Sequence, residues 1–280
     1  MRLPVIILNY NTSHDCCKCV EFLQHQEGVE IEIVIVDNCS RPEDVAELRK
    51  LSASEGCTLI ENHENRGYNA GNNIGLRYAA SKGYKYALIA NPDMEFPQTD
   101  YVARLVEAMN QDPDIVVVGS DIVDTDGLHQ NPLDFVSFGS ELLWPIEMLR
   151  NKSTRALEHT QNRYCNVLMG CCLMVRMSFM KAIGLFDEGV FLYCEEAIFA
   201  HQVKQYEKKI YYTADTFAVH RHIKSEKSNP YKRLITLCNS RDYKNSHHSD
   251  YNGIQTALLY YSNCIRRWFL KLKLCSFHDK

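Results

Sequence analysis

Residues 84–96 read Tyr84-Lys85-Tyr86-Ala87-Leu88-Ile89-Ala90-Asn91-Pro92-Asp93-Met94-Glu95-Phe96. The first half is a short apolar, aromatic-rich run of the kind that forms a buried strand. It stops at Asn-Pro-Asp, where proline lacks a donor N–H and biases the residue before it toward extended geometry. The pattern predicts a strand that delivers Asp93, with Glu95 two places on, at its carboxyl end. In open α/β sheets that edge is where ligands bind. A carboxylate there can hold a divalent cation against a diphosphate, because Mg2+ and Mn2+ favour oxygen ligands shared with substrate phosphates. The plain alternative is a Pro-Asp turn with a solvated acid; the neighbouring segments decide.

Upstream, Pro4-Val5-Ile6-Ile7-Leu8 is a continuous apolar run, as expected for a strand covered on both faces. It ends in Asn9-Tyr10-Asn11-Thr12, and Thr12 or Ser13 can cap a helix through about residue 26. A second strand over 31–36 ends in Asp37-Asn38-Cys39-Ser40, with a helix after it to residue 54. A third strand, 57–61, precedes Asn65-Arg66-Gly67-Tyr68-Asn69-Ala70-Gly71-Asn72-Asn73-Ile74-Gly75. Strand, polar loop and helix thus repeat, which implies parallel strands with right-handed crossovers. All the polar tips then fall on one sheet edge.

Segment 65–75 is rich in glycine and asparagine yet opens a helical pattern. It lacks G-x-G-x-x-G and follows the third strand, which disfavours a dinucleotide site. Small residues let backbone approach a ligand closely, and a helix N-terminus suits phosphate. A glycine-bearing helix packed closely on the sheet would look the same.

Downstream, 101–110 reads as a helix and 115–119 as a strand. Residues 121–163, with Trp144, form a long excursion of the kind that is commonly functional. A central strand is predicted over 166–175 and a short helix over 178–183. Phe191-Leu192-Tyr193-Cys194-Glu195-Glu196 opens a helix to about 207, and strands are predicted at 210–212 and 216–219, the second ending in His220-Arg221-His222. In 254–274, Leu258, Leu259, Tyr261, Ile265, Trp268, Phe269 and Leu272 interleave with Arg266, Arg267, Lys271 and Lys273. That helix fits an anionic membrane surface, and equally a core-closing or dimer-forming role.

Bulk properties narrow the classes. At 280 residues, 45% hydrophobic and 24% charged, one large α/β unit with an appendage fits. A net charge of −4 gives no electrostatic footprint for nucleic acid. No run reaches the ~18 uncharged apolar residues of a membrane span. The start, too short an apolar run for a signal peptide, leads to an expectation of a cytoplasmic protein. The twelve cysteines lack paired C-x-x-C spacing, so reduced, buried thiols are expected rather than a zinc or disulfide framework.

Taken in order, Val5-Ile6-Ile7-Leu8-Asn9-Tyr10-Asn11, Val34-Ile35-Val36-Asp37-Asn38-Cys39-Ser40, segment 65–75, Asn91-Pro92-Asp93, Gly184-Leu185-Phe186-Asp187-Glu188 and Phe191-Leu192-Tyr193-Cys194-Glu195-Glu196 resemble the family 2 glycosyltransferases of GT-A fold, most of all their rhamnosyltransferase-like group. The likeness runs from about residue 3 to 225. It implies an α/β GT-A domain over 1–225, with a mainly parallel central sheet flanked by helices, and a helical extension over 226–280. It also implies an inverting enzyme that moves a sugar from a nucleoside-diphosphate sugar donor to an acceptor hydroxyl, on a saccharide or lipid-linked saccharide, in bacterial surface polysaccharide synthesis.

By that resemblance Asp37 bonds the nucleotide base, where an Asx turn closing the strand is the alternative. Asn9, Tyr10 and Asn11 line the same pocket, and Asn65, Gly67, Asn69, Asn73 and Asn91 extend the donor-binding set. Asp93 matches the surviving acid of a D-x-D metal motif, with Asn91 in place of the first acid. His220 matches a histidine near the Mg2+ or Mn2+, with His222 two residues on. Family members usually carry Glu-Asp where this chain has Glu195-Glu196, so Glu196 inherits the role of base with one more methylene. Acids in a first helical turn are also favoured by the helix dipole alone. Residues 121–163 and the C-terminal region would build the acceptor pocket. The rival readings are a sugar-nucleotide-binding protein impaired in transfer, and a nucleotidyltransferase, which would want a basic glycine-rich loop after the first strand.

Overall fold

Four parallel strands carry the polar tips. In the computed structural model, which describes residues 2–144, 158–221 and 230–278, β1 (Arg2–Asn9) lies between β2 (Glu30–Asn38) and β4 (Tyr86–Ala90), with β3 (Thr58–Asn62) beyond β2. Helices α1 (Ser13–Gln24), α2 (Pro42–Glu55) and α3 (Tyr68–Ser81) make the crossovers. The register sets Leu8 opposite Val36 and Asn9 opposite Asp37, with Asp37 in turn opposite Glu61. The apolar runs therefore end level with one another, and the polar residues after them share an edge.

The second half of the sheet changes direction. It comprises β5 (Met94–Glu95), β6 (Ile115–Asp124), β7 (Arg163–Cys165), β8 (Cys172–Arg176) and β9 (Lys209–His220), with α4 (Tyr101–Asn110), α5 (Phe138–Leu142), α6 (Met177–Ala182) and α7 (Glu195–Gln205) between them. Among the described residues nine strands form one sheet in the order β3-β2-β1-β4-β8-β6-β9-β5, with β7 also on β9. β8 runs antiparallel to both β4 and β6, whereas β6 and β9 are parallel. Ala90 at the end of β4 thus faces Cys172 at the start of β8. That reversal brings the Asn91-Pro92-Asp93 turn beside Gly170 and Cys171, and Asn91 N–H donates to Cys171 O at 2.8 Å.

Apolar cores cover both faces. Cys16, Cys19 and Val20 of α1, Leu48 of α2 and Tyr101 of α4 pack on one side; Leu76 of α3, Met180 of α6 and Phe199 of α7 pack on the other. Gly75 brings α3 close to β1, since a Cβ there would lie 2.4 Å from Ile6 Cγ2. The eleven described cysteines are free thiols.

Two sequence expectations need correction. The strand predicted over 166–175 begins at Cys172, because the backbone before it is held by side chains: Met169 N–H by Asn131 and Gly170 N–H by Glu196. The two strands predicted at 210–212 and 216–219 are one bulged strand, β9. Its pairing with β6 jumps from Ser120–Thr213 to Asp121–Phe217, and Thr216 turns its hydroxyl to Gln98 Oε1 at 2.7 Å.

Beyond residue 229 two further helices, α8 (Pro230–His247) and α9 (Gly253–His278), pack against each other. α8 is anchored to the body of the fold through Ser240 Oγ, which donates to Leu192 O at 2.6 Å, and through an ion pair between Lys244 and Glu141 of α5. No helix among the described residues is long and apolar enough to cross a membrane. His222 lies outside the described residues, as do 145–157 of the long excursion.

Candidate active site

A cleft of about 700 Å3 opens at the carboxyl edge of β1, β2 and β4. Tyr10 and Asn11 form one wall, Asn65, Gly67 and Tyr68 another, and Asn91, Pro92 and Asp93 contribute the β4 turn. Asn11 is left-handed (φ 58°); its N–H donates to Ser40 Oγ and its side-chain oxygen accepts from Arg41 N–H, so the β1 and β2 loops are tied together. Phe191 and Leu192 close the remaining side.

Behind this lining lies a buried polar layer. Asp37, 1% exposed, accepts from Asn9 Nδ2 at 3.0 Å and from Ser40 N–H at 3.1 Å. Asn9 also accepts from Thr12 Oγ1. Asn69 and Asn73, likewise buried, turn away from the cleft. Asn69 Nδ2 donates to Asp187 O, while Asn73 exchanges hydrogen bonds with the backbone of Phe186 and donates to Glu188. These four residues brace the loops that line the cleft, and their neighbours Tyr10, Asn11, Asn38 and Asn65 form the lining itself.

β5 pairs antiparallel with the end of β9, Met94 facing His220. Consequently Arg221 N–H donates to Asp93 O, and His220 Nε2 lies 3.4 Å from Asp93 Oδ2. An oxygen and an imidazole nitrogen side by side suit a divalent cation such as Mn2+, the remaining ligands coming from diphosphate and water. Among the described residues no group of three or more acids, histidines or cysteines could hold a metal, so substrate would have to complete the shell.

A second cavity, about 420 Å3, shares no lining residue with the first, and Gly170 bridges the two linings by hydrogen bonds. Glu196 lines it, together with Phe138 of α5, Arg241 and Lys244 of α8, and His248 and Tyr251 of the following loop. Gly170 N–H donates to Glu196 Oε1 at 3.2 Å. On its other side Gly170 O accepts from Tyr68 OH at 2.9 Å, a hydroxyl shared with Asn91 Oδ1 at 2.8 Å. Gly170 therefore joins the Asp93 turn to the Glu196 carboxylate. Burial pushes the Cys171 thiol well above its ordinary value, and Cys172 and the charges of Asp93 and Glu196 push it the same way.

The loop that carries Glu196 is conformationally unusual. Leu185 (φ 75°), Tyr193 (φ 75°) and Cys194 (φ 67°) are non-glycine residues in the left-handed region, a strain that persists only where surroundings over-determine it. Here they do: Tyr193 N–H donates to Glu195 Oε1 at 2.7 Å, and Tyr68 N–H to Phe191 O at 2.9 Å. Burial, with the Glu196 charge beside it, raises the Glu195 carboxyl to about 7. Asp187 is held below its ordinary value: burial raises it, but hydrogen bonds from Gly189 N–H, His248 and Tyr243 prevail. Through them the 187–194 loop is fastened to α8 and the residues after it.

Tyr68 and Gly170 were not singled out from sequence. Tyr68 stood inside a quoted motif without a sign that its hydroxyl would reach Asn91. Residues 241–251 carried no motif at all.

The architecture is that of the GT-A glycosyltransferases. The mannosyltransferase PcManGT of Pyrobaculum calidifontis, solved with GDP-Man and Mn2+, shares the fold at a TM-score of 0.61 and 15% identity, covering 99% of this chain and 75% of that one. TarS 1–349 of S. aureus does so at 0.58 and 13%, covering 94% and 71%. Within that class the chain belongs to glycosyl transferase family 2, whose model matches residues 5–184. It is 26% identical over 207 residues to the low-salt glycan biosynthesis hexosyltransferase Agl10 of Haloferax volcanii, covering 72% of this chain and 62% of that one. An uncharacterized glycosyltransferase of Haemophilus influenzae matches at 29% over 113 residues, 40% of this chain and 36% of its own. The chain thus spans less than two thirds of the length of either relative.

Proposed function

We propose that this chain transfers a sugar from a nucleoside diphosphate to an acceptor hydroxyl with inversion at the anomeric carbon. The observation that carries the reading is Gly170, whose hydrogen bonds link the lining of a cleft edged by Asp93, with His220 behind it, to that of a cavity lined by Glu196. The donor occupies the first, its diphosphate near Asp93, and the acceptor occupies the second. Fold relatives solved with GDP-Man and with UDP support a nucleotide-sugar donor.

The acceptor oxygen attacks the anomeric carbon, the bond to the diphosphate breaks with its electron pair, and Glu196 takes the hydroxyl proton. Its Oε1 is oriented by Gly170 N–H, which leaves the other oxygen for the proton. In this reading the base and the leaving group act from opposite sides of the reacting carbon, and one displacement inverts it. A divalent cation on Asp93 and His220 would offset the charge that develops on the departing diphosphate. Mn2+ in the Pyrobaculum enzyme supports that assignment. The acceptor is a saccharide, free or lipid-linked, in surface-glycan synthesis; the Haloferax relative is named for glycan biosynthesis.

A panel of nucleotide sugars, with and without Mn2+ or Mg2+, tests this by thermal shift, since a ligand that prefers the native state raises the melting temperature. Proton NMR of the product then reads the anomeric configuration. A cation-independent response removes the metal site, and retention of configuration removes the mechanism. Nucleotide binding with neither transfer nor hydrolysis would favour the second reading, an impaired binder, which the extra methylene of Glu196 motivates.

A further inference from the structure

We propose that the outer face of α9 is a homodimer seam, occupied by the same face of a second copy of this chain. Ile254, Leu258, Tyr261, Ile265, Trp268 and Leu272 follow at spacings of four, three, four, three and four residues, each between 46% and 74% exposed. A stripe that repeats every ~3.5 residues keeps facing a single partner helix along its length. Packing among the described residues does not use it. The opposite face does that work: Leu259, Asn263 and Arg266 are buried, and Asn263 Nδ2 donates to Asp242 Oδ1 of α8 at 2.7 Å.

Charge placement separates a protein partner from a membrane. A helix lying on an anionic bilayer carries Lys and Arg beside its apolar face. Here Arg266 turns inward, 7% exposed, its guanidinium 4.7 Å from the Trp144 ring centre. Arg267 is bound to Asp242 of α8. The stripe is flanked by Gln255, Ala257, Ser262 and Cys264, all neutral, and Lys271 is the one exposed cation among the described side chains of the helix. Among the described side chains, membrane binding through this face would find one exposed cation along its polar border.

The area also fits. With Phe269 (51% exposed) the stripe holds roughly 800 Å2 of exposed side chain, about what each partner gives to a stable protein interface. Contiguous apolar patches on monomers are usually smaller, about 300–600 Å2. This inference is independent of the transfer reading.

Sedimentation velocity of the full chain across the micromolar range is expected to show the mass of a dimer. Ile265→Glu and Ile265→Lys should each sediment as monomers, and an equal mixture should regain the dimer. Position 265 lies near the middle of the stripe, so the opposite charges meet whichever way the helices run. Circular dichroism checks that both variants keep their helix content, which the exposure of Ile265 favours. A wild-type chain that stays monomeric overturns the proposal without reference to any variant. If that monomer pellets with phosphatidylglycerol–phosphatidylcholine vesicles, a membrane covers the face instead. A dimer that survives both charge substitutions in folded protein lies elsewhere on the surface and overturns it equally.

Discussion

The N–H of Gly170 donates to Glu196 Oε1 at 3.2 Å, across 26 residues of sequence. A Cβ at 170 would meet that same oxygen at 3.2 Å, a tight contact to which the carboxylate would have to yield by a few tenths of an ångström. The bond orients one carboxylate oxygen and ties the start of α7 to the segment that leads into β8 beside the Asp93 turn.

Glu196→Gln keeps an acceptor for Gly170 N–H but cannot take a proton. Transfer should fall by about 10^2–10^4 while donor affinity stays within a factor of two or so. Parallel calorimetry of donor binding and assay of nucleotide release separate the two, and full transfer by this variant would remove Glu196 as base.

Asp93→Asn should abolish the extra thermal stabilisation that Mn2+ gives in the presence of a nucleoside diphosphate. The metal-free response to nucleotide should remain, because Tyr10, Asn11 and Asn65 are untouched. Differential scanning fluorimetry with a manganese titration reads both. An unchanged manganese response in this variant would move the cation elsewhere.

Glu195 makes stability depend on pH. Its carboxyl keeps its proton to about pH 7 in the folded chain, against an ordinary value of 4.5. Between those values the native state binds more protons than the unfolded state, so stability falls as pH rises. The contribution is fully present below about pH 4.5 and lost above about 7; its size is roughly 3 kcal/mol. Glu195→Gln, whose side-chain oxygen can still accept from Tyr193 N–H, should flatten the melting-temperature profile between pH 4.5 and about 7. It should exceed wild type in stability at alkaline pH.

Gly67 has φ 108°, and a Cβ there would sit 2.4 Å from Phe191 O. Gly67→Ala should therefore strain its own backbone and push the 191–194 loop outward, destabilising the chain by about 1–3 kcal/mol. Donor binding should weaken as well, because Phe191 walls the cleft. Chemical denaturation and nucleotide titration measure the two effects.

Much of the sheet edge that carries the candidate site was legible without coordinates. Apolar runs of five or six residues that stop at Asn, Asp or Asn-Pro-Asp mark where parallel strands end, and a parallel register aligns those ends. The place of Glu196 in the first turn of a helix was legible as well, since a helix start is marked by local residue types. The reach of individual side chains was not. Asn69 and Asn73 look like ligand contacts in an Asn/Gly-rich motif, yet they hold the backbone of 186–187, more than a hundred residues away.

The order of residues alone thus determined the strand-and-helix rhythm, the shared edge of β1 to β4 and the identity of the acids placed there, because period and chain breaks are local properties. Tertiary structure alone decided that β8 runs against β4 and sets Gly170 beside Asn91, that α5 and α8 wall a second cavity, and that Arg266 and Arg267 face inward from α9. Those outcomes rest on contacts between segments distant in the chain, whose partners depend on strand order and helix docking, and neither is encoded in spacing.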